Sequence, residues 1–163
     1  MHDLDHVVGR QLDREVVQGK GEAAVDDLLK LFDSEQSADV RRTILQTLSD
    51  IKSTRVEDKL FEVAKGNDTI EVRRQAIRLL GERASKRSFE FLSATAQSTD
   101  GNAEVQVQAV RAISERRAEE SVPILIKIAR THPNQAVRKQ AIRSLGESGD
   151  PRAIDFFKEV LSK

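Results

Sequence analysis

The residues of this sequence best suited to chemistry are basic and amide side chains that recur at fixed positions. We number these positions from five valines, and the recurring groups fall two, three and six residues after a valine. The reference valines are Val8, Val40, Val72, Val105 and Val137. The basic members are Arg10, Arg14, Arg42, Arg74, Arg78, Arg111, Lys139 and Arg143, and the amide members are Gln75, Gln108 and Gln140. Guanidinium, ammonium and amide groups bind carboxylates and backbone groups, so these residue types predict the binding of another protein or peptide.

The three histidines are the natural candidates for metal binding or acid–base catalysis. His2 and His6 are four residues apart, a spacing that would place two metal ligands on one helix face. No His-Glu helix motif accompanies them, so a solvated segment is the favoured interpretation. His132, which precedes Pro133, is predicted to be an ordinary loop residue. The sequence therefore predicts no catalytic, metal-binding or cofactor-binding residue.

Two glycine-containing motifs also fail to indicate an enzyme. Gly19-Lys-Gly21 lacks the four-residue arc and the following Ser or Thr of a phosphate-binding loop. The segment Gly146-Glu-Ser-Gly149 has the wrong spacing for a nucleophile elbow, and no strand is predicted before it. Neither motif predicts a cofactor, and none is expected.

Composition limits the classes of partner and environment. The chain has 163 residues with 27 basic and 27 acidic side chains, and its formal net charge of zero argues against nucleic acid as the partner. No apolar run approaches the length that spans a bilayer, so no membrane insertion is expected. Cysteine is absent, which fits either a reducing or an oxidising compartment. The expectation is a soluble protein, either cytoplasmic or part of a larger exported one.

The elements that position the recurring side chains are helices in a repeated pair. The five valines are separated by 32, 32, 33 and 32 residues, a period typical of a solenoid. In the last four copies, apolar residues four, five and eight positions after the valine mark one face of a helix, here called the inner helix, which an outer helix follows. The predicted inner helices lie near 4–18, 38–50, 70–83, 103–116 and 135–147, and the outer helices near 22–32, 54–65, 86–97, 119–130 and 151–162. We expect a single repeat domain over residues 1–163.

Residue types at the predicted helix ends support this organisation. N-capping residues stand three positions before each of the last four valines, at Ser37, Thr69, Asn102 and Asn134. Gly81, Gly146 and Gly149 are predicted to take left-handed conformations where inner helices end. Asp150 is predicted to cap an outer helix whose first residue is Pro151.

The apolar residues also predict what is buried and what is left bare. All six phenylalanines lie in predicted outer helices and are expected in the core, except Phe91 and Phe156, which fall off the regular core positions. The first and last predicted helices lack the partner that would complete a repeat, so their apolar side chains are expected to be partly bare. These are Leu4, Val7 and Val8 at one end and Ile154 and Val160 at the other. We expect packing through these unfinished ends, or a segment of a longer protein.

The last copy carries a resemblance to a known repeat. The segment Val137-Arg-Lys-Gln-Ala-Ile-Arg-Ser-Leu-Gly-Glu-Ser-Gly-Asp-Pro-Arg-Ala-Ile154 resembles the HEAT repeat, in particular the short bacterial type also found in phycobilisome lyases. The resemblance implies an all-α solenoid, a right-handed superhelix of about five stacked helix pairs, whose inner helices line a concave groove. It also implies that Arg41, Arg73 and Arg138 bridge neighbouring repeats, although Gln106 replaces the arginine in one copy.

The favoured function is a non-enzymatic protein–protein interaction scaffold that presents this charged groove. A competing interpretation is an ordinary solvated helix face held by pairs four residues apart, namely Arg78–Glu82, Arg111–Glu115 and Arg143–Glu147. Two further hypotheses are nucleic-acid backbone binding by the arginine rows and an enzyme subunit that resembles a bilin lyase. HEAT-like di-iron hydroxylases use His-Glu pairs that this sequence lacks.

Overall fold

The computed structural model describes residues 21–163, and within that range the chain forms helices and no strand. The predicted inner helix near 4–18, with Arg10 and Arg14, and the histidine pair His2 and His6 lie outside the described residues. The helices are α1 (Gly21–Ser34), α2 (Ala38–Ser49), α3 (Thr54–Lys65), α4 (Ile70–Glu82), α5 (Lys86–Gln97), α6 (Ala103–Ser114), α7 (Ala118–Thr131), α8 (Gln135–Ser148) and α9 (Pro151–Leu161). The all-α class expected from the sequence is confirmed.

The chain divides into two compact units, with the boundary between Ala76 and Ile77 inside α4. In the described part of the first unit, α1 packs on α2 and α2 packs on α3. Val25, Leu45 and Leu60, one from each of these helices, are fully buried where they meet. Burial of such side chains contributes on the order of 2 kcal/mol each to folding.

The second unit shows two layers of helices. Inner helices α6 and α8 pack on each other, and outer helices α5, α7 and α9 pack successively beside them. The helices α5 and α6, α7 and α8, and α8 and α9 join the two layers. The core between the layers consists of buried aliphatic side chains, among them Ile113, Leu125 and Leu145.

The predicted caps lie where the sequence placed them. The side-chain oxygens of Ser37, Thr69, Asn102 and Asn134 accept hydrogen bonds from backbone N–H groups in the first turns of α2, α4, α6 and α8. The Asp150 carboxylate accepts from the backbone N–H of Arg152, with Pro151 in the first turn of α9. Each such cap contributes about 1 kcal/mol to helix stability.

The glycines correct one prediction. Only Gly149, the C-cap of α8, has a positive φ within residues 21–163, at 64°. Gly81 lies inside α4, where a Cβ atom would stand 2.8 Å from the Cβ of Ala112 on α6. Gly146 lies inside α8, and a Cβ there would meet no atom of the described residues within 4 Å. Gly81 therefore serves close helix packing and not a left-handed turn.

The exposure of α9 corrects a second prediction. Phe156 is only 6% exposed, so its predicted surface position was wrong. Its ring lies beneath the guanidinium of Arg130 at 5.1 Å and beside the ring of Phe157 at 5.8 Å. Ile154 and Val160, whose partial exposure was expected, are 48% and 54% exposed. The periodic pattern of apolar residues did not predict that the side chain of Phe156 packs toward α7.

Candidate interaction surface

The arginines that directly follow a reference valine serve the fold. Arg41 donates from Nη1 to the carbonyls of Phe32 and Glu35 at 2.8 and 3.0 Å, and its guanidinium lies over the Phe32 ring. From Nη2 it reaches the Asp68 carboxylate at 2.5 Å, in the loop of the next repeat. The side chain thus satisfies carbonyls at the end of α1 and joins two repeats.

Arg73 and Arg138 repeat the first of these roles. Arg73 donates from Nε to the carbonyl of Ala64 at 3.3 Å. Arg138 donates from Nη1 to the carbonyls of His132 and Pro133 at 2.7 and 3.0 Å. In each case the guanidinium donates hydrogen bonds to backbone carbonyls near the end of the preceding outer helix, so these arginines stabilise the fold.

Gln106 stands where three other repeats have an arginine, and here His132 provides an additional contact to the same loop carbonyl. Gln106 donates from Nε2 to the carbonyl of Ser98 at 2.6 Å, and His132 Nε2 lies 2.9 Å from the same oxygen. His132 Nδ1 accepts from the backbone N–H of Asn134 at 3.0 Å, which makes Nε2 the protonated nitrogen. His132 lies in a loop, as predicted, but it is only 5% exposed, and its burial and hydrogen bonds were not predicted.

The candidate residues of the first unit lie on α2 and α4. Arg42 is exposed, with an Asp39 carboxylate 3.7 Å away. Arg74 is half-buried, and its buried Nε has no hydrogen-bond partner within the described residues 21–163. Gln75 donates from Nε2 to Oε1 of Gln46 at 3.2 Å, which links the two inner helices.

The candidate residues of the second unit lie on α4, α6 and α8. Arg78 forms an ion pair with Glu82 at 2.6 Å, as predicted. Arg111 instead donates from Nε to Oε1 of Gln140 at 3.3 Å, and Gln140 donates from Nε2 to Oγ of Ser144 at 3.2 Å. The predicted Arg111–Glu115 pair is therefore replaced by a contact between helices, because the Gln140 amide of the next repeat lies within reach.

Two cations of α8 have no intramolecular partner within residues 21–163. Lys139 and Arg143 are exposed, stand one helical turn apart, and make no hydrogen bond or ion pair there. The predicted Arg143–Glu147 pair is absent from this described range. The side chain of Gln108 on α6 is half-buried and likewise has no hydrogen bond to the described part of the chain. We call Arg111, Lys139 and Arg143 the α6–α8 basic surface.

Two arginines of the outer helices, by contrast, are closely paired with carboxylates. Arg55 on α3 binds the Glu22 and Asp26 carboxylates of α1, and the hydrogen bond from Arg55 lowers the pKa of Glu22 below its ordinary value. Arg130 on α7 makes a two-pronged contact with Glu159 on α9 at 3.0 and 2.6 Å. The hydrogen bond from Arg130 lowers the pKa of Glu159.

Cavities and clusters in the described range give little support to catalysis. A cavity of about 440 Å³ is lined by Gly81, Glu82, Ala84, Glu115, Arg116, Arg117 and Glu120. Its carboxylates include Glu120, paired with Arg116 at 3.1 Å, and Glu82, paired with Arg78. Residues 21–163 contain no group of three His, Cys, Asp or Glu side chains placed to hold a metal ion. No helix in that range has the length and apolar character needed to cross a membrane.

Comparison with known families now decides the fold. The family model for HEAT repeats matches residues 25–103 and again residues 95–163. The chain belongs to the HEAT-repeat family. Its fold is therefore an all-α repeat solenoid, as the sequence predicted, and HEAT repeats generally serve as protein-interaction scaffolds without catalysis. None of the curated proteins matches the chain.

Proposed function

We propose that this HEAT-repeat protein is a non-enzymatic scaffold that binds an acidic segment of a partner protein on the α6–α8 basic surface. The observation that carries the proposal is that Lys139 and Arg143, on successive turns of α8, are exposed and have no side-chain partner among residues 21–163. Elsewhere, arginines such as Arg55 and Arg130 are held by carboxylates. A cation without an internal partner binds an incoming carboxylate without first breaking an ion pair.

The network beside these cations supports the same proposal. The amide oxygen of Gln140 accepts a hydrogen bond from Nε of Arg111. This contact fixes the orientation of the guanidinium and therefore of its other two nitrogens. Gln140 is 7% exposed, so it positions Arg111 and offers little surface of its own. Gln75 is likewise engaged with Gln46. The proposed contacts are therefore mainly the cations, with Gln108 as the amide beside them.

The corresponding residues of the first unit are a separate part of the proposal. Arg42 and Arg74 are proposed as contacts on α2 and α4, because among residues 21–163 the one carboxylate near Arg42 is 3.7 Å away and the buried Nε of Arg74 has no hydrogen-bond partner. Arg10 and Arg14, outside the described residues, stay a sequence-based prediction. Arg78 also stays a sequence-based prediction, and its ion pair with Glu82 makes it a weaker candidate for partner binding.

The test is quantitative affinity capture followed by titration of the captured partner. The double variant Lys139→Glu with Arg143→Glu is expected to weaken partner binding at least about tenfold, because two attractive charges become repulsive. The matched control is Lys30→Glu with Lys52→Glu, which makes the same change in net charge at exposed lysines of the first unit. Partner binding that survives in the α8 variant, or falls equally in both variants, overturns the proposal.

The nucleic-acid hypothesis receives less support from the contacts. The hypothesis relies on the basic rows two and six residues after the valines, and in these rows Arg78 is paired with Glu82 and Arg111 is hydrogen-bonded to Gln140. Binding to a nucleic-acid backbone would lose affinity steeply with salt. Titration with a single-stranded oligonucleotide at low salt is expected to show no saturable binding.

The bilin-lyase hypothesis stays a sequence-based prediction, and a colourless purified protein that binds no bilin would count against it.

A further inference from the structure

Four apolar side chains of α8 and α9 are exposed, and three of them stand at positions that the preceding repeat buries. Ile142 on α8 is 46% exposed, whereas Val110, which stands 32 residues earlier on α6, is fully buried. Ile154 on α9 is 48% exposed, whereas Val122 on α7 is fully buried. The same contrast holds one period apart for the 1% exposed Ile128 and the 54% exposed Val160. Leu161, at 85%, is the most exposed of the four.

The repeat itself shows what kind of surface these side chains form. In the second unit α6 packs on α8 and α7 packs on α9, and Val110 and Val122 are buried there. Ile142 and Ile154 therefore stand at the positions through which, one repeat earlier, a helix pair packs against the next pair. An exposed apolar surface of this kind marks a site of association with a complementary helical surface.

The charges along α9 favour a second copy of the same helix as the occupant. Asp155 and Lys158 are exposed and make no ion pair within residues 21–163. When two α9 helices run antiparallel about a two-fold axis, pairing Ile154 with Leu161 of the other copy brings Asp155 within one helical turn of Lys158 from that copy. The contact occurs twice by symmetry, so the surface complements itself in both charge and apolar character.

We infer that two copies of this chain associate through their α8–α9 faces, with α9 antiparallel to α9 of the second copy. The apolar centre on α9 is formed by Ile154 and Leu161, which are seven residues apart on one helix face, and Asp155 and Lys158 fix the direction of pairing. This association is independent of the α6–α8 basic surface and does not require a partner of another kind.

The test is analytical ultracentrifugation of the full chain over a range of concentrations. The expected result is a reversible monomer–dimer equilibrium. Ile154→Glu with Leu161→Glu is expected to weaken the association at least about tenfold, because the buried carboxylates would lack partners. Leu31→Glu on α1, where the side chain is 47% exposed, is the matched control and is expected to leave the equilibrium unchanged. Helix content measured by circular dichroism checks that each variant is folded.

A charge exchange identifies the occupant as a second copy. Asp155→Lys alone is expected to weaken dimerisation, and adding Lys158→Asp is expected to restore it, because each copy supplies both members of the pair. A chain that stays monomeric at the highest concentration overturns the inference. So does a dimer that the α9 double variant leaves intact, or a charge exchange that fails to restore association.

Discussion

Gly81 and Gly146 occupy equivalent places in two inner helices but have different surroundings. Both lie inside their helices, so alanine would favour the helix by up to about 1 kcal/mol at either position. At Gly81 a Cβ would stand 2.8 Å from the Cβ of Ala112, and at Gly146 it would meet no atom of the described residues within 4 Å. The same sequence pattern therefore has a packing function in one copy and none in the other.

The expected outcome is that Gly81→Ala and Gly146→Ala change stability in opposite directions. Gly81→Ala is expected to lower the free energy of unfolding by about 1–3 kcal/mol, because α4 and α6 must separate. Gly146→Ala is expected to raise it by up to about 1 kcal/mol. Urea titration followed by circular dichroism measures both. A change of the same sign in the two variants would contradict this account of Gly81.

His132 is the residue on which the loop beside Gln106 depends. Its two ring nitrogens serve Ser98 and Asn134, and its removal would leave buried polar groups without partners as well as a void. His132→Ala is expected to lower the free energy of unfolding by about 2–3 kcal/mol. Gln135→Ala, at an exposed position three residues later, is the control and is expected to stay within about 0.5 kcal/mol of the native protein. An equal loss in the control would remove His132 from this role.

At the scale of the helix, the ion pair between α7 and α9 gives stability a pH dependence. The hydrogen bond from Arg130 lowers the pKa of Glu159 from its ordinary value of 4.5, so the folded state favours the ionised carboxylate. This contribution is fully present above that value and is lost as the pH falls through the lower pKa of the folded state. The contact is exposed and screened by solvent, so its contribution is small.

Glu159→Gln tests this directly. The melting temperatures of the native protein and the variant are expected to differ near neutral pH and to converge as the pH falls through the lowered pKa of Glu159, below which both side chains are uncharged. Glu147→Gln on α8 is the control, because Glu147 makes no ion pair within residues 21–163. A difference for Glu159→Gln that persists unchanged in acid would show that Arg130 does not stabilise the ionised carboxylate.

At the scale of the whole molecule, the period of the sequence was sufficient to predict the fold class and the helix caps. The valine spacing, with a polar residue three positions before each of the last four valines, predicted an all-α repeat and the caps at Ser37, Thr69, Asn102 and Asn134. Both features depend on interactions between residues that are close in the sequence. The candidate surface was less predictable, because its side chains form hydrogen bonds with residues on other helices.

A separation of 29 residues accounts for much of what was missed. The pairs Gln46–Gln75, Arg111–Gln140, Arg130–Glu159 and Asp26–Arg55 all have this separation. It equals one 32-residue period less about one helical turn, so it joins corresponding helices of adjacent repeats. The interpretation by pairs four residues apart considered only neighbours on one helix and therefore assigned Arg111 to Glu115. The packing of Phe156 toward α7 required the same knowledge of the adjacent helix.

The 29-residue contacts also affect how each unit gains its structure. Interactions that extend only to the adjacent repeat require short loops to close before they form, which lowers the entropic barrier to assembly. Ordered structure can then start at any junction within a unit and spread to its neighbours. We therefore expect rapid folding that begins locally, and a defect such as Gly81→Ala to impede propagation chiefly at its own junction.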